Sequence, residues 1–106
     1  MPFFGKFKCF SFTYASVRQN APRRGGVYAI SNAREWLLVG SADDLQSTLH
    51  KHLMEGGVLR SKGATGFTFE ECDFHVRQGL LDSLVTQLRP SCNRAWNSPA
   101  IPPVER

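Results

Sequence analysis

The sequence predicts an α+β fold, a small three-stranded and mostly antiparallel sheet with flanking helices. Three observations carry that expectation. Two short β-rich runs lie on either side of a polar turn, "VYAIS" and "WLLVG". Leucines then recur at helical spacing at Leu45, Leu49 and Leu53. Finally an alternating run, "FTFEECDF", is followed by a second leucine-rich segment. Helices packed on one side of such a sheet are the simplest way to bury one apolar face of each element.

Residues 1–21 read as an N-terminal extension. Within it Phe10 to Phe12 suit a short strand, and Thr13 or Ser16 could cap a helical turn. "APRRGG" is punctuated by Pro22 and two glycines and reads as a turn. Val27 to Ser31 is rich in β-branched and aromatic residues, "SNARE" supplies turn residues, and Trp36 to Gly40 is a second apolar run. The pair reads as a β-hairpin. "SADD" follows, with Ser41, Asp43 and Asp44 available to cap a helix or meet its dipole. The leucine stripe of that helix should end at Gly56 and Gly57.

Val58 to Gly66 reads as a loop, rich in glycine and basic residues. In the strand after it, Phe67 and Phe69 alternate with Thr68 and Glu70. A second helix is expected over about residues 77–88, burying Leu80, Leu81, Leu84, Val85 and Leu88 and stopped by Pro90. Gly79 should weaken its first turn by about 1 kcal/mol relative to alanine. The domain proper is expected over residues 22–95. Residues 96–106 form a proline-rich tail, extended unless Trp96 docks.

With 106 residues and 42% hydrophobic content, the chain has the size and composition of one domain. A net charge of +4 permits a polyanionic partner without requiring one. Cys9, Cys72 and Cys92 are odd in number and form no CxxC pair, which argues against a disulfide framework and a zinc ribbon. "MPFFGKFKCFSF" lacks the features of a secretory signal. No stretch approaches the roughly 18 apolar residues of a membrane helix. A cytoplasmic protein without a membrane partner is the expectation.

"GVY" at Gly26 to Tyr28, "LVG" at Leu38 to Gly40 and "GSADDL" leading into a helix resemble the GIY-YIG nuclease family. The ending "LV" at Leu84 and Val85, followed by "QLRPSCN" from Gln87 to Asn93, extends the resemblance over residues 22–93. The resemblance implies a site made from Tyr28, as general base or water-orienting group, with His52 and Asn93. It also places Thr48 where the family holds the arginine that stabilises the pentavalent phosphate, and Leu81 where it holds the metal-binding glutamate. Leu38 stands where a tyrosine opens the second motif.

A threonine hydroxyl supplies no positive charge, and a leucine cannot ligate a hard divalent cation. Losing one electrostatic donor from an active site costs about 10²- to 10³-fold, and here two groups are missing. Cleavage should therefore be negligible. No metal ligands and no cofactor are expected, and a divalent cation such as magnesium enters only if nuclease activity survives. Asp82 is the one alternative ligand, but one residue along a helix turns it about 100° from Leu81. A rearranged, active metal-dependent endonuclease is the least favoured reading.

Each retained residue also has a plain structural reading. Tyr28 suits a core aromatic with a bonded hydroxyl. His52, four residues after Thr48, suits either a site remnant or the edge of the leucine stripe. His50 and His52 point in different directions and make a poor metal pair. Asn93 suits a turn after the helix stop.

Two functions follow. In the first, the domain binds DNA or RNA through Arg23, Arg24, Arg60 and Lys62, whose contacts would track phosphates without sequence choice. In the second, Leu38 and Leu81 create an apolar surface for a protein partner or a homodimer.

Overall fold

A computed structural model describes residues 9–55 and 57–91. Among them, eight elements follow in order: β1 (Phe10–Ser11), α1 (Tyr14–Asn20), β2 (Gly26–Ser31), β3 (Trp36–Ala42), α2 (Leu45–Glu55), α3 (Gly57–Ser61), β4 (Gly66–Glu71) and α4 (Phe74–Leu88). The sheet has four strands, not three, in the order β1-β4-β2-β3, and every ladder in it is antiparallel. The extra strand is β1, whose Phe10 and Ser11 pair with Phe67 and Gly66. Residues 10–21, read above as an extension, thus supply an edge strand and a helix.

Helices cover both faces of the sheet, which corrects the one-sided arrangement. The reason lies in β2, where all six residues are buried. Successive side chains of a strand point to opposite faces, so a strand buried at every position needs a cover on each. Tyr28 and Ile30 face a core completed by Phe12, Val17, Leu45 and Leu49, from the N-terminal segment and α2. Val27 and Ala29 face the other way, onto Trp36, Val39 and Leu84.

The β2–β3 hairpin is as expected, with a turn over residues 32–35 in which the Asn32 carboxamide oxygen accepts from the Arg34 and Glu35 amides, each at 2.8 Å. The second residue of the second run, Leu37, falls at a register shift opposite Ile30/Ser31 and joins the same core as Leu38. Thr13 caps α1 by accepting from the Ser16 amide at 3.2 Å. Asp44 caps α2 in the same way, through the Ser47 amide at 3.0 Å. Two further amides at that helix start are met by main-chain oxygens, Leu45 by Arg24 and Gln46 by Pro22.

The segment expected as a loop contains α3, a single short helix, and only then turns through Gly63 at φ +70°. Helix α4 starts at Phe74, three residues before the expected Arg77. Phe74 and Val76 are exposed, so the first turn carries no apolar periodicity by which to recognise it. The helix ends as expected, with Arg89 in the left-handed region and Pro90 after it. No helix among the described residues is long and apolar enough to cross a membrane.

Candidate functional site

Two motif glycines are required by close approach. A Cβ on Gly26 would fall 2.2 Å from the Glu70 carbonyl oxygen, because β4 runs against that strand. On Gly40 it would fall 2.5 Å from the Tyr28 hydroxyl and 2.7 Å from the ring carbon bearing it. Tyr28 and Gly40 are register partners across the hairpin, so the phenol lies flat over its glycine neighbour. This packing aims the hydroxyl at α2.

There it meets His52, whose Nε2 is 2.7 Å from the phenol oxygen. Tyr28 is 5% exposed and His52 9%, so the pair is sealed within the Tyr28-side core. Burial pushes the Tyr28 phenol well above its usual range, and the charge of Glu55 pushes it the same way. Burial lowers the His52 value; Glu55 partly offsets this and Lys51 adds to it. Both groups are accordingly neutral near pH 7, and a single hydrogen bond joins the phenol oxygen to Nε2, its donor set by the imidazole tautomer. A phenol held in its neutral form in this way is a poor general base.

The imidazole also borders a cavity of about 150 Å³, lined by Phe12, Leu53, Leu59, Arg60 and Ala64. Arg60 is exposed and, alone of the four expected basic residues, lines this cavity. Thr48 is half-buried on α2, one turn before His52. Leu38 is 2% exposed in the same core.

Leu81 lies elsewhere. It is half-buried against the Val27, Trp36 and Leu84 cluster, on the face of the sheet opposite Tyr28. The expected apolar concavity shared by Leu38 and Leu81 is therefore not formed: one leucine is sealed in the Tyr28 core, and the other packs on the far side. Asn93 lies outside the described residues.

The residues present do not fit a divalent cation. Leu81 offers no oxygen, and Asp82 is exposed and accepts from the Gln78 amide at 2.9 Å. Among the described residues no group of three or more His, Cys, Asp or Glu is placed to hold a metal ion.

The four basic residues divide between the two ends of the sheet. Arg23 and Arg24 flank the start of β2, within 3.5 Å of Asp44 and 3.6 Å of Glu71 respectively. Lys62 sits at the other end, 4.0 Å from Glu35 of the hairpin turn, and its carbonyl accepts from the Asn32 side chain. A strand of the length of β2 separates them, about 20 Å at roughly 3.3 Å per residue. They do not make one patch.

In the sequence, Arg77 marks only the expected start of the second helix. Its guanidinium is 12% exposed; it donates to Asp43 at 2.7 Å and to the Cys72 carbonyl at 3.3 Å, and lies under the Phe74 ring. It ties the start of α4 to the turn before α2. The second glycine of "GG" is taken up by β4, and the first, Gly25, is the signal that could have revealed this tether, since a Cβ there would fall 2.2 Å from an Arg77 nitrogen.

No protein-family model matches the chain, and no curated protein does. Solved structures do. The chain is similar to the GIY-YIG N-terminal endonuclease domain of UvrC from Thermotoga maritima bound to its catalytic divalent cation, magnesium, at 22% identity and a TM-score of 0.59, over 71% of this chain and 92% of that one. An asparagine-to-alanine point mutant of that domain aligns with a TM-score of 0.60 and 22% identity, over 71% and 91% of the two chains. The chain has a GIY-YIG-like fold.

Proposed function

We propose that this chain is a catalytically degenerate GIY-YIG-like domain that binds DNA or RNA without cleaving it. The observation that carries the first half is the closed Tyr28–His52 pair. Its phenol is buried, held neutral and hydrogen-bonded to an imidazole at 2.7 Å. Phosphodiester cleavage needs compensation of charge on the nonbridging oxygens, and the two family positions that would supply it are Thr48 and Leu81.

Binding is supported by the net charge of +4 and by exposed cations. Arg23 and Arg24 each keep 76% of their side-chain surface exposed, and Arg60 and Lys62 stand at the opposite end of the sheet. Self-association through Leu38 and Leu81 has less support, because both leucines are already packed against their own chain. Exposed Phe74 and Val76 are the apolar residues on α4 left for a protein partner.

The test is incubation of purified protein with supercoiled plasmid and labelled oligonucleotides in magnesium and in manganese. No nicking is expected above a protein-free control. Metal-dependent nicking that disappears in Tyr28→Phe would overturn the proposal.

A further inference from the structure

The reading above leaves open which surface meets the nucleic acid, and the four basic residues do not form one. A different set lies together. Helices α1 and α2 are antiparallel neighbours, joined where Gln46 donates to the Arg18 and Ala21 carbonyls at 3.1 and 3.0 Å and where the His50 ring meets the Tyr14 carbonyl at 3.3 Å. Tyr14 and Arg18 are one turn apart on α1, and both are exposed. Arg23, in the turn before β2, lies beside the start of α2, 3.5 Å from Asp44.

On this seam the Tyr14 ring stacks on His50, with centroids 4.3 Å apart and planes 17° from parallel. Tyr14 nevertheless remains 58% exposed. One ring face is covered by the imidazole, so the exposure belongs to the rest of the ring. Beside the stack lies a shallow concavity of about 440 Å³ whose lining includes Ser47, Lys51 and Met54. Lys51, next to His50, and Arg18, one turn after Tyr14, thus neighbour an exposed aromatic pair, and Arg23 lies farther along the seam, beside Asp44, about 9 Å up α2 from His50. The carboxylates nearby are Asp44, already capping α2 and pairing Arg23, and Glu55 at the far end.

An aromatic platform flanked by cations suits single-stranded nucleic acid. Every base has a π-face to stack, and the cations can follow the phosphates. Duplex bases are already stacked on one another and offer no free face. We propose that a base of single-stranded DNA or RNA stacks on Tyr14, extending the Tyr14–His50 pair, while Lys51, Arg18 and Arg23 contact the phosphates. The inference rests on the nucleic-acid reading and assigns it a surface.

Fluorescence anisotropy of the full chain with labelled oligo-dT and oligo-rU, each about 15 nucleotides, tests it; such a strand covers a site of the size these platforms use. Both should bind at low salt. Stronger binding of oligo-rU would assign RNA, and equal binding would assign single strands of either kind. Tyr14→Ala should weaken binding by about tenfold, and Tyr14→Phe should stay within about twofold of wild type, since the ring does the stacking. Lys51→Glu should weaken binding and flatten the plot of log affinity against log salt by about 0.7, one phosphate contact. Phe74→Ala, which removes an exposed aromatic on the other face, should bind as wild type.

The Tyr14 ring protons of the wild-type protein should also move upfield in NMR spectra on saturation with oligo-dT. Oligonucleotide binding that Tyr14→Ala leaves unchanged, with no ring shift, would overturn this inference and leave the nucleic-acid reading standing. Absence of binding by wild type at low salt would overturn that reading and this inference together.

Discussion

The two faces of the sheet are built on different principles. The Tyr28 face is closed by shape: Gly40 admits a flat phenol, the phenol meets His52, and fully buried Leu45 and Leu49 seal the edge. The α4 face is closed by apolar contact that is only partial, with Leu80, Leu81, Val85 and Leu88 half-buried around one buried leucine, Leu84. The arginine tether of Arg77 to Asp43 and Cys72 helps to hold that helix at its start.

This contrast explains how motif residues can be required by packing alone. Gly26 and Gly40 are needed by the backbone of β4 and by the ring of Tyr28, and neither need involves a substrate. Two of the three positions that differ from the family pattern lie on looser or outer surfaces, while the third, Leu38, is enclosed in the Tyr28 core. Thr48 is half-buried on α2, and Leu81 is half-buried on α4. Motif glycines therefore report the fold, and the side chains at its margins report the reaction.

The sharpest way to break the comparison is Gly40→Ala. The new methyl would overlap the Tyr28 ring at 2.5–2.7 Å, and β2, which carries that ring, is paired on both sides and cannot retreat from it. A loss of about 4 kcal/mol is expected, at the upper end for single substitutions. Chemical denaturation measures it. A loss under about 1 kcal/mol would mean that the ring swings aside freely and that the face is not closed by shape.

A smaller effect should separate the two faces directly. Leu49→Ala on the Tyr28 face, at 0% exposure, should cost roughly 2–5 kcal/mol. Leu81→Ala, half-buried on the other, should cost about 1 kcal/mol, because part of its side chain already meets water. Equal losses in matched denaturation curves would show the faces to be equally packed and the contrast to be false.

How far the sequence carried this picture depended on how locally each feature is encoded. The β2–β3 hairpin, the α2 stripe and the buried side of α4 were legible because alternation, i/i+4 spacing and Pro90 act within a few residues. The two-residue strand β1 was only hinted at: its pairing with Gly66 and Phe67 depends on chain more than fifty residues away. The first turn of α4 was missed because exposed Phe74 and Val76 obscure its periodicity, with Gly79 diluting the rest.

At the site, Tyr28 and His52 were both singled out. Their hydrogen bond was not, because it spans 24 residues and depends on the register that sets Tyr28 over Gly40. The two readings of His52 merge in the structure: it lies on the buried side of α2 beside Leu49 and is also the partner of Tyr28. Leu81 and Leu38 could not be assigned to separate faces until α4 was known to cross to the far side of the sheet.

The smallest effects probe the pair itself. Tyr28→Phe keeps the ring over Gly40 but removes the hydroxyl, leaving the His52 Nε2 without its 2.7 Å partner; about 1–3 kcal/mol should be lost. His52 adds a pH dependence of predictable sign. Its folded value is lowered, chiefly by burial, so below an ordinary histidine value of about 6.5 the unfolded chain takes up a proton that the folded chain resists. The stabilisation from a neutral, buried His52 is complete above that value, shrinks as the pH falls below it, and is spent once the pH passes the lowered folded value.

Acidic side chains also titrate over this range, so the useful quantity is the difference between wild type and His52→Gln, followed by denaturation from about pH 7.5 down to pH 5. Wild type should lose its advantage over the variant on acidification. Glu55 opposes the trend by favouring the imidazolium, and Lys51 reinforces it. An advantage that instead grew on acidification would mean that His52 is held as a cation. The Tyr28 face would then carry a buried charge rather than a neutral, sealed pair, and the distinction between the two faces would have to be drawn on charge instead of packing.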